Sequence, residues 1–208
     1  MNRKLLIVSA LLLFSFLAWG QSRPDALREY RLGNLDKAIE ICLLELEDSP
    51  GNMDSYTVLC WSLIKQGDYQ KALEYSEEGL SHNYNDIRVL EIAGEANYYL
   101  GKNLDALKHF ERYCVLAPTG DRIELVYFFM GEIFIRLGEY NHADIAFTTA
   151  VYHSPNSAKW WARLGYAREM AEDYRFALEA YDKSLTLNPS STESLRGRER
   201  VEQKMGNG

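Results

Sequence analysis

One short pattern recurs five times along this chain at an almost constant period. Ala38, Ala72, Ala106, Ala143 and Ala177 stand 34, 34, 37 and 34 residues apart. Four residues after each come Cys42, Ser76, Phe110, Phe147 and Tyr181, and twelve residues after each come Pro50, Tyr84, Pro118, Pro155 and Pro189. A period near 34 in which small, bulky and proline positions keep their order predicts stacked helix–turn–helix units. Each unit carries an apolar face that it cannot bury alone, so neighbours must stack along one continuous seam. The predicted fold is an all-α solenoid with a C-terminal capping helix, and its expected job is to hold something rather than to convert it.

With the alanine at position 20 of each repeat, the chain divides into a truncated repeat one (21–52), repeat two (53–86), repeat three (87–120), repeat four (121–157, with a three-residue insertion), repeat five (158–191) and a capping helix and tail (192–208). Position 8 holds Ala26, Cys60, Gly94, Gly131 and Gly165, small residues that let two helices approach closely. Gly33, Gly67, Gly101 and Gly138 mark the turn inside each repeat, where glycine tolerates left-handed backbone angles. Repeat five has Glu172 there, which predicts a slightly different turn. Prolines near each repeat's end cannot continue a helix. The insertion Asp121-Arg122-Ile123 has two readings: Asp121 caps a longer helix, or the extra residues kink the superhelix. In the tail, Leu195 and Val201 are read as one apolar face.

The chain opens with Arg3 and Lys4, then 14 uncharged residues from Leu5 to Ala18, then a small-x-small end at Ala18-Trp19-Gly20. That pattern reads as a secretory signal over 1–20, cleaved after Gly20. The alternative is an uncleaved anchor, although the run is shorter than the ~20 residues of a usual spanning helix. Export to a periplasmic or secreted location follows as an expectation, with no membrane span once the signal is cleaved. Residues 1–20 carry two basic residues and no acid, so the formal charge of −7 becomes −9 without them. That sign argues against nucleic acid as partner, whose binding rests on basic contacts to phosphate. Cys42, Cys60 and Cys114 are an odd set with no metal-type spacing. They read as buried thiols acting as small hydrophobes, with a Cys42–Cys60 bridge as the alternative in an oxidising compartment.

Trp161-Ala162-Arg163-Leu164-Gly165, followed by Ala177, Tyr181 and Pro189, resembles the tetratricopeptide repeat. Weaker copies lie at Tyr56, Leu59 and Ala72, and at Tyr127, Met130, Gly131, Ala143 and Phe147. The resemblance covers nearly all of the chain after residue 20, about five repeats of an exported bacterial type. It implies a concave surface lined by the first helix of each repeat, chiefly positions 2, 5, 9, 12 and 13. Those positions give a candidate partner-binding groove of Trp61, Ile64, Lys65, Arg88, Glu95, Tyr98, Tyr99, Phe128, Glu132, Arg136, Tyr166 and Met170. Large apolar side chains facing solvent would form an interaction patch, and aromatics anchor interfaces; the competing reading packs the same rings into the seam between helices. The basic and asparagine clamp with which some tetratricopeptide domains grip acidic chaperone tails is absent: Thr57, Trp61, Glu91 and Glu95 stand there.

No nucleophile–base pair, phosphate loop or metal motif is present in the sequence, so no catalytic residue, metal or cofactor is expected. The leading reading is a non-enzymatic scaffold of the cell envelope that takes a partner protein or peptide in an aromatic-lined groove. The alternative is a carrier of a small apolar ligand, or an accessory subunit of an uptake system. Self-association through the truncated first repeat is a further reading.

Overall fold

A computed structural model describes residues 25–206, and the signal expected over 1–20 lies outside them. Eleven helices follow one another among these residues: α1 Ala26–Leu32, α2 Leu35–Asp48, α3 Met53–Gln66, α4 Tyr69–His82, α5 Ile87–Tyr99, α6 Asn103–Leu116, α7 Ile123–Leu137, α8 Tyr140–His153, α9 Ala158–Met170, α10 Tyr174–Leu187 and α11 Thr192–Gly206. Each helix packs on its predecessor and its successor, and the first helices of neighbouring repeats touch across α1–α3, α3–α5, α5–α7 and α9–α11. The fold is an α-solenoid of antiparallel helix pairs.

Local chemistry sets most boundaries. Asp25, Asn52, Asp68, Asp86 and Ser157 cap helix N-termini, each accepting from a backbone N–H two or three residues on. Such caps satisfy donors that have no partner within the helix. Second helices stop at Ser49, Ala117, Ser154 and Asn188, whose φ lies between −132° and −142°. Each precedes a proline, whose ring disfavours helical angles in the residue before it. Asn83 ends α4 in the same extended way with Tyr84 following, so the stop does not depend on the ring alone.

The turn inside each repeat needs a left-handed residue, and Gly33, Gly67, Gly101 and Gly138 supply φ of 74° to 83°. Glu172 adopts φ 62° at the equivalent place. The turn of repeat five is therefore the same as the others, contrary to the sequence expectation, and it stores strain of ~1–2 kcal/mol that glycine avoids.

The seam is built on a volume exchange between positions 8 and 24. Where position 24 is aromatic, position 8 is glycine, and its missing Cβ would lie 2.4 Å from Phe110 at Gly94, 2.6 Å from Phe147 at Gly131 and 2.7 Å from Tyr181 at Gly165. In repeats one and two position 8 is Ala26 and Cys60 and position 24 is Cys42 and Ser76, so where the aromatic ring is absent a side chain replaces the glycine, and all four residues are buried. The five position-20 alanines are all fully buried beside these pairs. The three cysteines are free thiols: Cys42 and Cys60 are buried and Cys114 is half-buried. Burial pushes the Cys42 thiol up to about 12.

Two expectations change here. Asp121 is exposed and does not cap α7; Arg122 occupies the N-cap without a side-chain cap bond. On α11 the buried face is Ser194, Gly197 and Val201, whereas Leu195 is 42% exposed. The Tyr181 ring occupies the place a Gly197 side chain would take, which turns the helix away from the Leu195 face.

Candidate protein-binding groove

The first-helix face carries a cavity of about 590 Å³ over repeats one to three, lined in part by Ala26, Leu27, Asp54, Thr57, Trp61 and Arg88. Trp61 is half-buried, its ring centroid 5.9 Å from Tyr30, and its Nε1 is enclosed without a hydrogen-bond acceptor. Lys65 is exposed and its ammonium lies 5.1 Å from the Tyr30 ring centroid, while Ile64 is half-buried against the first core cluster.

Further along, the aromatic side chains form a connected run. Tyr99, 44% exposed, stacks on Tyr69 at 4.4 Å and meets Tyr98 edge-on at 5.2 Å. Half-buried Tyr98 lies 4.8 Å from Phe129 and carries the Arg136 guanidinium over its face at 3.8 Å. Arg136 also donates to the Tyr98 carbonyl at 2.9 Å, so this cation is held in place rather than free. Phe128 departs from the groove reading. It is only 7% exposed, stacks on Trp160 at 5.1 Å and packs against Phe147, which makes it a core residue. Tyr166 and Met170 are half-buried on α9.

The charged side chains of this face are largely spent on one another, in a ladder that joins successive repeats. Arg88 donates to Asp54 at 2.6 Å and to Asp86 at 2.9 Å. Arg122 donates to Glu91 at 2.9 Å and reaches Glu95 at 3.4 Å. Arg163 takes Glu132 with two nitrogens, one of them at 3.0 Å. Arg200 of α11 takes Glu169 at 2.7 and 2.8 Å, and the Tyr181 hydroxyl donates to the same carboxylate at 2.8 Å. Burial pushes the Glu169 carboxyl up, but the bonds from Arg200 and Tyr181 together outweigh it and hold it below the usual carboxylate range. Three of these pairs, Glu91–Arg122, Glu132–Arg163 and Glu169–Arg200, span 31 residues each. That recurring interval was the available signal for them in the sequence. Glu95 and Glu132 therefore belong to the joints between repeats, and Arg88 is engaged in the same way. Lys65, Tyr99, Tyr166 and Met170 remain as the accessible part of the sequence-based set, with Trp61 and Tyr98 at its floor.

The architecture agrees with known proteins. Family models of the tetratricopeptide repeat match residues 59–121 and 125–157. The chain is 23% identical over 163 residues to the BBSome complex member BBS4 of Bos taurus, covering 78% of this chain and 31% of that protein. It is 29% identical over 135 residues to the peroxisomal targeting signal receptor of Pichia angusta, covering 62% of this chain and 23% of the receptor. The chain thus spans less than a third of the length of either relative. Among solved structures, MamA superposes with a TM-score of 0.69 at 18% identity, over 81% of this chain and 90% of its own. YrrB, a tetratricopeptide protein with an unusual peptide-binding site, gives 0.71 at 18% identity, over 84% and 88%. A tetratricopeptide repeat protein from Parabacteroides merdae gives 0.69 at 20%, over 87% and 71%. These likenesses carry the fold, and the matches indicate no catalytic family.

Proposed function

We propose, on the premise that this chain is a solenoid of tetratricopeptide repeats, that it is an interaction scaffold that takes a partner protein or peptide along its first-helix face. The observation that carries this reading is the open cavity beside Trp61, whose lining reaches Arg88 on α5, the helix that also carries the aromatic residues Tyr98 and Tyr99. Aromatic anchors at the floor of a groove suit an extended or helical segment with apolar side chains. YrrB has a peptide-binding site on the same fold, which adds support by analogy of architecture. A role at the cell envelope rests on the basic, then apolar, N-terminal segment of the sequence. Among the described residues, no helix is long and apolar enough to cross a membrane.

The cavity favours a peptide over a small apolar ligand, because its lining mixes Asp25, Glu45, Asn52, Asp54 and Arg88 with apolar side chains, a surface suited to a chain that carries both kinds of group. The test uses side chains that the core does not need. Lys65→Ala, Tyr99→Ala and Met170→Ala combined are expected to cut capture of peptides from a displayed random library at least tenfold with helical content unchanged. Undiminished capture by that variant refutes the assignment of this face. Phe128 is left intact, since its loss would test folding instead.

A further inference from the structure

We propose that the junction between repeats three and four is a hinge whose lock is the Glu91–Glu95–Arg122 cluster, closed when the two carboxyl groups share a proton and released when both are ionised. Three independent features meet at this place. The 37-residue spacing puts the extra residues of the array here, between α6 and α7. The contact of α6 with α7 is the sparsest between any two successive helices described. The residue that bridges the gap, Arg122, comes from the insertion itself and reaches back across it to α5.

The cluster is one positive charge short. Asp54 and Asp86 also share one arginine, Arg88, but Asp54 is 83% exposed to water, whereas Glu91, 1% exposed, and Glu95, 8% exposed, are both buried and share Arg122. Glu91 Oε2 and Arg122 Nε are both enclosed without a hydrogen-bond partner. The two carboxyls lie within hydrogen-bonding reach of each other, so a proton on Glu95 gives Glu91 the donor it lacks. Burial and then the neighbouring Glu91 charge push the Glu95 carboxyl up to about 7, with Arg122 opposing.

The other groups around the cluster do not change this balance. Tyr99 of α5 and Tyr113 of α6 are phenols pushed upward by burial, and Tyr113 Oη accepts from the Arg122 backbone N–H at 3.4 Å. Tyr30 of α1 faces Arg122. On α3, Asp54 is engaged by Arg88 and Lys65 lies over Tyr30; on α7, Arg136 lies over Tyr98. Asp121, beside Arg122, is exposed. Arg122 is the one cation acting on either carboxylate.

The sign follows from linkage. In the closed junction Glu95 keeps its proton up to about pH 7, whereas in an opened, hydrated one it returns toward 4.5. The closed form therefore binds more protons across that window, and rising pH favours opening, by on the order of a hundredfold between pH 4.5 and 7. Burial pushes the Glu91 carboxyl up as well, so the extra proton of the closed form belongs to the pair, and the direction of the pH dependence is the same for both groups. Opening pivots repeats four and five about the core that Phe110, Tyr98 and Phe129 share across the junction, and so changes the curvature of the binding face.

The test uses the full chain with Leu104→Cys on α6 and Ile145→Cys on α8, positions 66% and 65% exposed, nitroxide-labelled in a Cys114→Ser background. A single narrow distance distribution at pH 5 is expected to give way to a second, longer population by pH 7.5. Glu95→Gln, which mimics the protonated carboxyl, is expected to hold the narrow distribution at both pH values. Carboxyl carbon-13 spectra supply a second reading: one glutamate resonance should titrate near pH 7 and be absent from Glu95→Gln. A distance distribution that ignores pH, or one that responds identically in Glu95→Gln, overturns the proposal.

Discussion

Replacing Gly131 with alanine isolates what the seam between positions 8 and 24 requires. In an open helix this change stabilises by ~1 kcal/mol, because alanine loses less backbone freedom than glycine. Here the added Cβ would stand 2.6, 2.7 and 2.8 Å from three ring carbons of Phe147, a fully buried side chain. Overpacking of a filled core costs ~1–3 kcal/mol, so the net expectation is a loss of up to ~2 kcal/mol. The decisive comparison is the same substitution in a Phe147→Leu background. Leucine removes the ring edge that meets the new methyl group, and Gly131→Ala should then become neutral or stabilising, even though Phe147→Leu is itself destabilising. The two changes should couple by ~1–3 kcal/mol, within the range for residues in contact. Urea unfolding followed by circular dichroism and by tryptophan fluorescence measures each corner, with coincident transitions required before free energies are compared. If Gly131→Ala stabilises equally in both backgrounds, the volume-exchange account is wrong.

Two further outcomes test other parts of the array. Glu172→Gly should stabilise by up to ~1 kcal/mol, since relief of left-handed strain outweighs the larger chain entropy of glycine; a loss of stability in the melting curve would show that φ 62° carries no strain at that site. Arg200→Leu leaves Glu169, only 3% exposed, buried with the Tyr181 hydroxyl as its remaining partner, at a cost of ~3 kcal/mol. Because the folded Glu169 carboxyl lies below its unfolded value of 4.5, its contribution is present above that pH and is lost as pH falls through the folded value. Arg200→Leu should therefore lower thermal stability most at neutral pH and converge on the parent in acid; an equal deficit at all pH values would contradict this.

The helix pairs were readable because their causes are local. The Ala–x3–bulky spacing puts two side chains on one face of the second helix, and both are buried in every repeat. Capping residues, left-handed glycines and prolines act within a few residues, so they punctuate the chain where they stand. The exceptions have local reasons too. Glu172 was misread because the turn is imposed by the two helices it joins, which hold even a glutamate at positive φ. Of the two readings of the insertion, the cap at Asp121 is the one that fails: Arg122 takes the N-cap place, and its side chain reaches across the gap to Glu91.

The groove was readable only in outline. Positions taken from a repeat pattern name a helix face to within one residue, and neighbouring residues on a helix point about 100° apart. That ambiguity decides whether a ring faces solvent or the seam: Tyr99 is largely outside, while Phe128 is inside against Trp160.

The period of 34, the small residues at positions 8 and 20 and the turn signals determined the solenoid by themselves, because each acts within a repeat or at the contact with the next. Only the tertiary structure decided which carboxylates meet which arginines, that Glu91 and Glu95 must share one, and which rings remain accessible. Those outcomes depend on the angle between successive repeats, and that angle is set by the summed packing of whole helices rather than by any one spacing.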